Sequence, residues 1–211
     1  MLNLPSPAEL AILIPVFLLA LTVHEYAHAW VAHRLGDPTA RLEGRLTLNP
    51  LAHLDPIGSL AILLIGFGWA RPVPVDGRYF KNPRRDLMLV ALAGPAINLV
   101  MAAGMAFLFM TVPWRAAGPE WHWLVVPVRQ MLWVGVAVNV LLAVFNLLPV
   151  PPLDGSRILS GLLPLRQALA YSRLEPYGFL IIFLLFFTGV MRPVYGVAVQ
   201  TIAGALFGIW G

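Results

Sequence analysis

Residues 24–28 read His-Glu-Tyr-Ala-His, and they lie inside an apolar segment, Leu10–Ala32, in which Glu25 is the only fully charged residue. On a helix, residues four positions apart share a face, so His24 and His28 can direct both imidazoles at one metal ion. Glu25 follows His24 directly and can reach a water molecule at that metal. This H-E-x-x-H pattern on a helix is typical of zinc-assisted peptide hydrolysis.

The apolar surroundings of this motif decide between a functional and a chance arrangement. In a soluble helix, two histidines at helical spacing can arise without a role. Inside a membrane span, ionisable side chains are costly and mark functional sites. We therefore interpret His24 and His28 as metal ligands and Glu25 as the catalytic residue. We expect one more ligand from elsewhere in the chain, because catalytic zinc sites use three protein ligands.

The composition is that of a polytopic membrane protein. Of the 211 residues, 59% are hydrophobic and 11% are charged, and the absence of cysteine excludes disulfides and thiolate chemistry. The net charge of +4 comes from basic residues at the ends of apolar runs, so we expect contact with the lipid bilayer and none with nucleic acid. The length allows one membrane-embedded domain over residues 1–211, with a catalytic core at about 8–165 and C-terminal spans at about 176–211.

The apolar runs predict an all-α protein with a three-span core. Turn signals and charged residues separate them, and the C-terminal region adds two shorter apolar segments. The predicted core spans are Ala8–Leu35, Leu87–Pro113 and Gln130–Leu153, and the C-terminal segments are Pro176–Met191 and Pro193–Gly211.

A small membrane-associated β element is predicted between the first two core spans. Residues 40–48 and 71–80 alternate between polar and apolar side chains, which favours two short strands that pair with each other. Pro56–Ala70 is apolar but has only 15 residues, which is short for a spanning helix and suits a re-entrant segment.

Positive charge then predicts the topology. With Pro56–Ala70 re-entrant, eleven of the 14 Lys and Arg residues lie on one side of the membrane. The positive-inside rule assigns that side to the cytoplasm. We therefore expect a multi-pass protein of the cell membrane with its N-terminus outside and its C-terminus in the cytoplasm.

A second polar site occurs where prolines interrupt the third span. Residues 146–155 read Asn-Leu-Leu-Pro-Val-Pro-Pro-Leu-Asp-Gly, and apolar sequence resumes after them. An unwound span can carry a carboxylate at membrane depth only where it lines a polar cavity, and a bound cation compensates such a carboxylate. Asp154 is therefore a candidate third metal ligand. The alternative is that Asp154 caps a helix beginning at Gly155, which is a common role of aspartate.

Together these motifs resemble the site-2 protease family, the membrane-embedded zinc metalloproteases of peptidase family M50, in a compact form without a PDZ domain. The resemblance covers about residues 20–160 and rests on two specific motifs in the same order, HEYAH at 24–28 and NLLPVPPLDG at 146–155. AGPAIN at 93–98 and LNPLAHLDPIG at 48–58 look like the bacterial and archaeal members, which implies a prokaryotic source.

This resemblance implies a zinc site with a defined set of residues. His24, His28 and Asp154 would bind one Zn2+ per chain, Glu25 would activate water, and Asn146 would lie near the scissile peptide.

The sequence departs from the family in two places. The Asp-Gly-Gly of the family reads Asp154-Gly155-Ser156 here. The loop between the second and third spans has about ten residues, which leaves no room for a PDZ domain.

Four further polar residues keep two interpretations open. Asn98 and Asn146 could bind an extended substrate or stabilise an oxyanion, or they could hydrogen-bond between helices. His53 and Asp55 could orient a metal ligand through hydrogen bonds, or they could belong to a turn at the membrane surface.

The sequence therefore predicts an intramembrane zinc endopeptidase that cleaves transmembrane protein substrates, as in regulated intramembrane proteolysis. Glu25 would take a proton from the attacking water and return it to the leaving amine. Two alternatives remain, a membrane zincin that acts on lipidated peptides and a metal transporter. The first would not need Asp154 as a ligand, and the second would need polar residues along a whole path across the membrane. The sequence indicates neither the substrate nor the oligomeric state.

Overall fold

Long apolar helices dominate the structure, a computed structural model that describes residues 6–58, 61 and 68–210, with only the backbone at 209 and 210. The named helices are α1 (Pro7–Arg34), α2 (Thr39–Leu42), α3 (Pro83–Thr111), α4 (His122–Asn146), α5 (Asp154–Leu162), α6 (Leu165–Ser172), α7 (Gly178–Phe187) and α8 (Met191–Trp210). Within the described residues, four stretches are long and apolar enough to cross a membrane, namely Pro7–Arg34, Pro83–Thr111, Pro119–Asn146 and Leu165–Phe187. The prediction of an all-α polytopic membrane protein is confirmed.

Helix α1 begins and ends close to the predicted limits of the first span. Ser6 and Glu9 form a capping box, in which the Ser6 amide donates to Glu9 Oε2 (2.7 Å) and the Glu9 amide donates to Ser6 Oγ (3.3 Å). These bonds satisfy amide groups that the first helical turn leaves without a partner. At the other end, Gly36 adopts a φ of +112°, a conformation that few residues other than glycine accept, and the helix stops.

Helices α1, α3 and α4 pack against one another and form the predicted three-helix core. Small and β-branched side chains lie fully buried where α3 meets α4, and they let the backbones approach closely. The buried members of this cluster are Ala102, Ala106, Val136 and Val140. Helix α8 covers the same cluster with apolar side chains that include Val199, Ile202 and Leu206.

The predicted pair of strands is wrong for the described residues. Thr39–Leu42 forms a short helix, because the Asp37 side chain accepts hydrogen bonds from the Thr39 amide (2.9 Å) and hydroxyl (2.5 Å). Gly44 follows with a φ of +68° and turns the chain. Residues 71–76 are irregular, and the apolar side chains of Val73 and Val75 pack in a hydrophobic cluster without a ladder of backbone bonds. A single antiparallel bridge, between Leu54 and Ala70, is the β structure found among the described residues.

The re-entrant interpretation of Pro56–Ala70 concerns residues 59–60 and 62–67, which lie outside the described part of the chain. The described ends of the segment lie side by side. Leu54 bridges to Ala70, and a Cβ atom added to Gly58 would overlap the carbonyl oxygen of Trp69. The two described ends therefore lie close together, and the re-entrant path of the segment stays a prediction.

The third span and the first C-terminal segment begin or end a few residues away from their predicted positions. Helix α4 begins eight residues before the predicted third span and ends at Asn146, and the proline-rich turn of residues 147–153 then leads directly into α5. The first predicted C-terminal segment shortens to α7, and the stretch long enough to cross a membrane starts earlier, at Leu165, because α6 precedes it.

Candidate active site

Three buried side chains from two helices converge on one point. His24 and His28 lie on one face of α1, with their Nε2 atoms 3.0 Å apart. Asp154, the first residue of α5, places its Oδ2 atom 3.2 Å from each of these nitrogens. All three residues are at least nine-tenths buried. The structure thus brings together the three residues that the sequence proposed as metal ligands.

The hydrogen bond of His28 determines which ring nitrogen carries its proton. Its Nδ1 atom lies 2.7 Å from the carbonyl oxygen of Val90 on α3. A carbonyl oxygen can only accept a hydrogen bond, so Nδ1 is the donor. In the neutral ring, Nε2 therefore presents a lone pair toward Asp154.

His24 is oriented in the same way by an amide side chain. Its Nδ1 lies 2.6 Å from Asn98 Oδ1. Asn98 Nδ2 donates to the carbonyl oxygen of Ala20 (3.3 Å) and to Asn139 Oδ1 (2.9 Å). Because the Ala20 oxygen cannot donate, the amide cannot be flipped, and its oxygen must face His24. The Nε2 atom of His24 is therefore also a lone-pair donor toward the centre of the site.

The converging atoms fit a zinc ion. Two imidazole lone pairs and a carboxylate oxygen repel one another at this separation, and buried Oδ2 of Asp154 has no hydrogen-bond donor among the described residues. A bound cation would offset the repulsion between these atoms and would give Asp154 Oδ2 a partner. Ligand atoms about 2.0–2.1 Å from a tetrahedral zinc lie about 3.3–3.4 Å from each other, close to the 3.0 and 3.2 Å seen here. Two histidines and one carboxylate also leave the fourth position open, as catalytic zinc sites require.

Helix α3 provides the space for that ion. A Cβ atom added to Gly94 would lie 2.6 Å from His24 Nε2 and still closer to His28 Nε2. Val90, Gly94 and Asn98 follow one another at intervals of four residues, so all three lie on the face of α3 that meets α1. One helix face thus orients both imidazoles and leaves room between them.

Asp154 begins α5 without capping it. The residue before α5 is Leu153, and no side chain caps this helix end. The next position requires glycine, because a Cβ atom on Gly155 would lie 2.4 Å from the carbonyl carbon of Leu147. Ser156, where the family pattern has a second glycine, is buried and donates from its hydroxyl to the Leu153 carbonyl oxygen (2.7 Å). The departure from the family pattern therefore falls at a position that can hold a side chain.

Glu25 lies beside the three converging residues and does not join them. It is 8% exposed, and its Oε2 atom accepts a hydrogen bond from the Val73 amide (3.2 Å). A cavity of about 240 Å³ adjoins Glu25 and the three converging residues. Its walls are mostly apolar and include Phe17, Leu21, Trp69, Phe145 and Ile182.

The other predicted site residues lie in different places. Asn146 lines the cavity at the end of α4, where its side chain donates to the Leu142 carbonyl oxygen (2.9 Å). Asn98 is fully buried behind His24. His53 and Asp55 are not among the cavity-lining residues. His53 bonds through Nε2 to the Thr47 carbonyl oxygen (2.8 Å), and Asp55 accepts from the Gly58 amide (2.7 Å).

Some residues of this site were not proposed from the sequence. Asn139 supports Asn98, and a polar side chain in the middle of an apolar span was its available signal. Gly94 and the Val73 amide had no usable signal, since their roles depend on how close another segment approaches.

The chain is similar to proteins named as zinc metalloproteases. Residues 121–189 match the family described as Peptidase family M50. The chain is 44% identical over 177 residues to the protein named "Putative zinc metalloprotease YwhC" of Bacillus subtilis, covering 83% of this chain and 80% of that protein. It is 35% identical over 185 residues to "Putative zinc metalloprotease Rip2" of Mycolicibacterium smegmatis, covering 83% of this chain and 66% of that protein.

Other relatives are much longer than the region they share with this chain. The similarity to "Putative zinc metalloprotease Rip3" of Mycobacterium tuberculosis, 32% identity over 148 residues, covers 70% of this chain but 30% of that protein. No solved structure matches the chain. The identity and coverage of the shorter relatives show that the chain belongs to peptidase family M50 and is a zinc metalloprotease of the membrane.

Proposed function

We propose that this protein is an intramembrane endopeptidase that hydrolyses peptide bonds within or near the transmembrane segments of membrane protein substrates, using one zinc per chain. One observation carries the proposal. Three oriented lone-pair donors, His24, His28 and Asp154, meet beside a buried glutamate and an apolar cavity. Two of the three come from a helix that is long and apolar enough to span a membrane.

Each polar residue then has a defined task. Zinc, when bound by His24, His28 and Asp154, supplies Lewis-acid chemistry that activates water and polarises a carbonyl group. Glu25 accepts the proton of the attacking water and passes it to the leaving amine, as general acid–base catalysis requires. Asn146, on the cavity wall, is suited to hold the substrate backbone beside Glu25.

The cavity also limits the form of the substrate. Its apolar walls, with Phe17, Trp69 and Phe145, suit the side chains of a transmembrane segment. The peptide groups of an intact helix are occupied by internal hydrogen bonds and surrounded by side chains. The substrate therefore has to unwind locally before a carbonyl group can enter the site.

The two alternative functions have less support. A zincin for lipidated peptides needs no aspartate from a proline-broken span, whereas here Asp154 meets both histidines. A metal transporter needs polar groups along a continuous path across the membrane. Among the described residues, a single buried group of side chains could hold a metal ion, namely His24, His28 and Asp154.

The variant Glu25→Gln tests the proposal, because it keeps the shape of the side chain and removes the proton acceptor. The variant should bind zinc like the wild type but cleave a reporter with one transmembrane helix about 10²–10⁴ times more slowly. Glu175→Gln, which changes an exposed carboxylate between α6 and α7, is the matched control and should cleave normally. Cleavage by Glu25→Gln at the wild-type rate would contradict the mechanism.

The proposed topology places the N-terminus outside and the C-terminus in the cytoplasm, and it can be tested separately. Because the protein has no cysteine, single cysteines can be introduced for labelling in intact cells. Asp76→Cys and Ser172→Cys should react only after the cytoplasmic side is opened, and Gly118→Cys should react from outside. Labelling of Asp76→Cys and Ser172→Cys from opposite sides would contradict the topology.

A further inference from the structure

The connection between α1 and α3 contains a buried arginine. Arg45 is 4% exposed. Its Nη2 atom donates to the carbonyl oxygens of Arg71 (2.5 Å) and Pro72 (3.3 Å). The guanidinium group of Arg45 therefore binds the backbone of residues 71–72.

That backbone leads directly to the proposed general base. One residue further on, the Val73 amide donates to Glu25 Oε2 (3.2 Å). The flanking residues Pro72 and Pro74 have restricted φ angles and no amide hydrogen, which stiffens this short segment. Residues 71–73 thus form a rigid connection with Arg45 bound at one end and Glu25 at the other.

His53 holds the same segment. Its carbonyl oxygen accepts a hydrogen bond from the Arg71 amide (2.9 Å), so His53 binds the N–H of Arg71 and Arg45 binds its C=O. The His53 ring is fully buried and is fixed by its bond to the Thr47 carbonyl oxygen (2.8 Å).

The LNPLAHLDPIG motif provides the rigid turn that carries His53. At its start, Asn49 Oδ1 accepts a hydrogen bond from the Leu51 amide (3.1 Å). Near its end, Asp55 Oδ1 accepts one from the Gly58 amide (2.7 Å). Side-chain bonds thus fix the turn on both sides of His53.

The chemistry of the two residues favours a functional role over a merely structural one. Arg45 Nε and His53 Nδ1 are buried without a hydrogen-bond partner among the described residues. Such groups destabilise a fold, and apolar side chains of similar volume would fill the space at lower cost. Burial lowers the pKa of Arg45, and Arg71 acts in the same direction, while the carboxylates of Glu25 and Glu43 oppose the shift.

We propose that Arg45 and His53 are positioning residues that orient the Glu25 carboxylate through the backbone of residues 71–73. This inference rests on the proposed role of Glu25 as general base. A general base must stay within hydrogen-bond reach of the proton it takes, and a displacement of about 1 Å can cost about 10²-fold in rate. The Val73 amide limits the Glu25 side chain to one orientation, and Arg45 and His53 hold that amide in place.

Three variants and a control separate positioning from folding. Arg45→Met removes the donors and keeps the apolar stem, whereas Arg45→Lys keeps a charge and one donor to the Arg71 carbonyl. For Arg45→Met we expect kcat to fall about 10- to 100-fold with unchanged KM and zinc content, and Arg45→Lys should recover part of the loss. His53→Gln should lose less, because its backbone bond to Arg71 survives. Arg78→Met, which removes a 90% exposed arginine from the same connection, should behave as the wild type.

A double variant tests whether Arg45 acts through Glu25. In a Glu25→Gln background, Arg45→Met should cause no further loss of the residual rate, because the group it positions is gone. Fully multiplicative losses would overturn the inference. If Arg45→Met keeps the wild-type kcat while Glu25→Gln is inactive, only the positioning role of Arg45 is overturned. If Glu25→Gln is active, the proposed mechanism is overturned as well.

Amide hydrogen exchange gives a readout that does not depend on activity. Since Pro72 and Pro74 have no amide hydrogen, a peptide covering residues 71–75 reports only Arg71, Val73 and Val75. Exchange in this peptide should be faster in Arg45→Met than in the wild type or Arg78→Met. Equal exchange rates, or zinc loss in both Arg45→Met and Arg45→Lys, would overturn the inference.

Discussion

Helix α3 and the connection formed by residues 43–76 both support the polar face of α1, but they do so by different means. Helix α3 contacts both imidazoles with Val90, Gly94 and Asn98, which recur at helical spacing. The connection contacts Glu25 through one backbone amide, and its described residues 43–55 and 68–76 have little regular structure. The metal ligands therefore depend on the regular packing of two helices, whereas the proposed general base depends on a few buried side chains in an irregular segment.

The largest effects are expected where ligands are removed. His24→Ala, His28→Ala and Asp154→Ala should each lose zinc and all activity, because two ligands cannot hold the ion in a catalytic geometry. Metal content of the purified protein and cleavage of the reporter measure both effects. Glu175→Ala, which removes an exposed carboxylate, is the control. Full zinc content in Asp154→Ala would contradict its assignment as the third ligand.

The next effect separates helix stability from the space for the ion. Alanine normally stabilises a helix relative to glycine by roughly 0.5–1 kcal/mol. Gly94→Ala should nevertheless lower zinc affinity by about 10²-fold or more, because its methyl group lies where the imidazoles converge. Gly104→Ala, on the same helix with no atom within 4 Å of the added methyl, should bind zinc normally. Competition with a chelator measures both, and equal affinities would show that α3 does not shape the site.

A smaller effect is expected for the residue that orients His24. Asn98→Ala removes the acceptor of the Nδ1 proton, and the loss of such an orienting group typically costs about 10- to 100-fold in metal affinity. Asn139→Ala, one hydrogen bond further away, should cost less. Zinc titration of both variants tests this order, and an equal or larger effect for Asn139→Ala would contradict it.

The smallest effect concerns the turn in the connection. Gly44 has a φ of +68°, where an L-residue is strained by roughly 1–2 kcal/mol. Gly44→Ala should therefore lower the thermal midpoint slightly and leave zinc affinity unchanged, because Gly44 is exposed and an added methyl group would have no atom within 4 Å. Gly196→Ala, in α8 with open space around the added methyl, should not lower the midpoint. A loss of zinc in Gly44→Ala would show that the two supporting regions are not independent.

The same contrast explains what could be predicted from the sequence. The spans and the candidate ligands follow from helical period, apolar length and a proline-broken span, and each of these signals is local. The strands predicted at residues 40–48 and 71–80 were wrong because alternation of polar and apolar residues does not determine which backbone groups pair. It does not determine burial here either, since the polar Arg45 is buried and the apolar Leu42 and Leu48 are exposed. In this region the amide of Arg71 binds His53, and the amide of Val73 binds Glu25. Hydrogen bonds between residues this far apart in the sequence produce no periodic pattern from which they could be predicted.

Gly94 has a consequence for the evolution of this family. A side chain at this position would overlap both imidazole rings at their Nε2 atoms without changing either sequence motif that carries the ligands. Genes can therefore retain HExxH and the later aspartate while the encoded protein has lost catalysis. Relatives with a larger residue at the position of Gly94 are expected to be pseudoproteases, and this single position offers a criterion for recognising them in genomes.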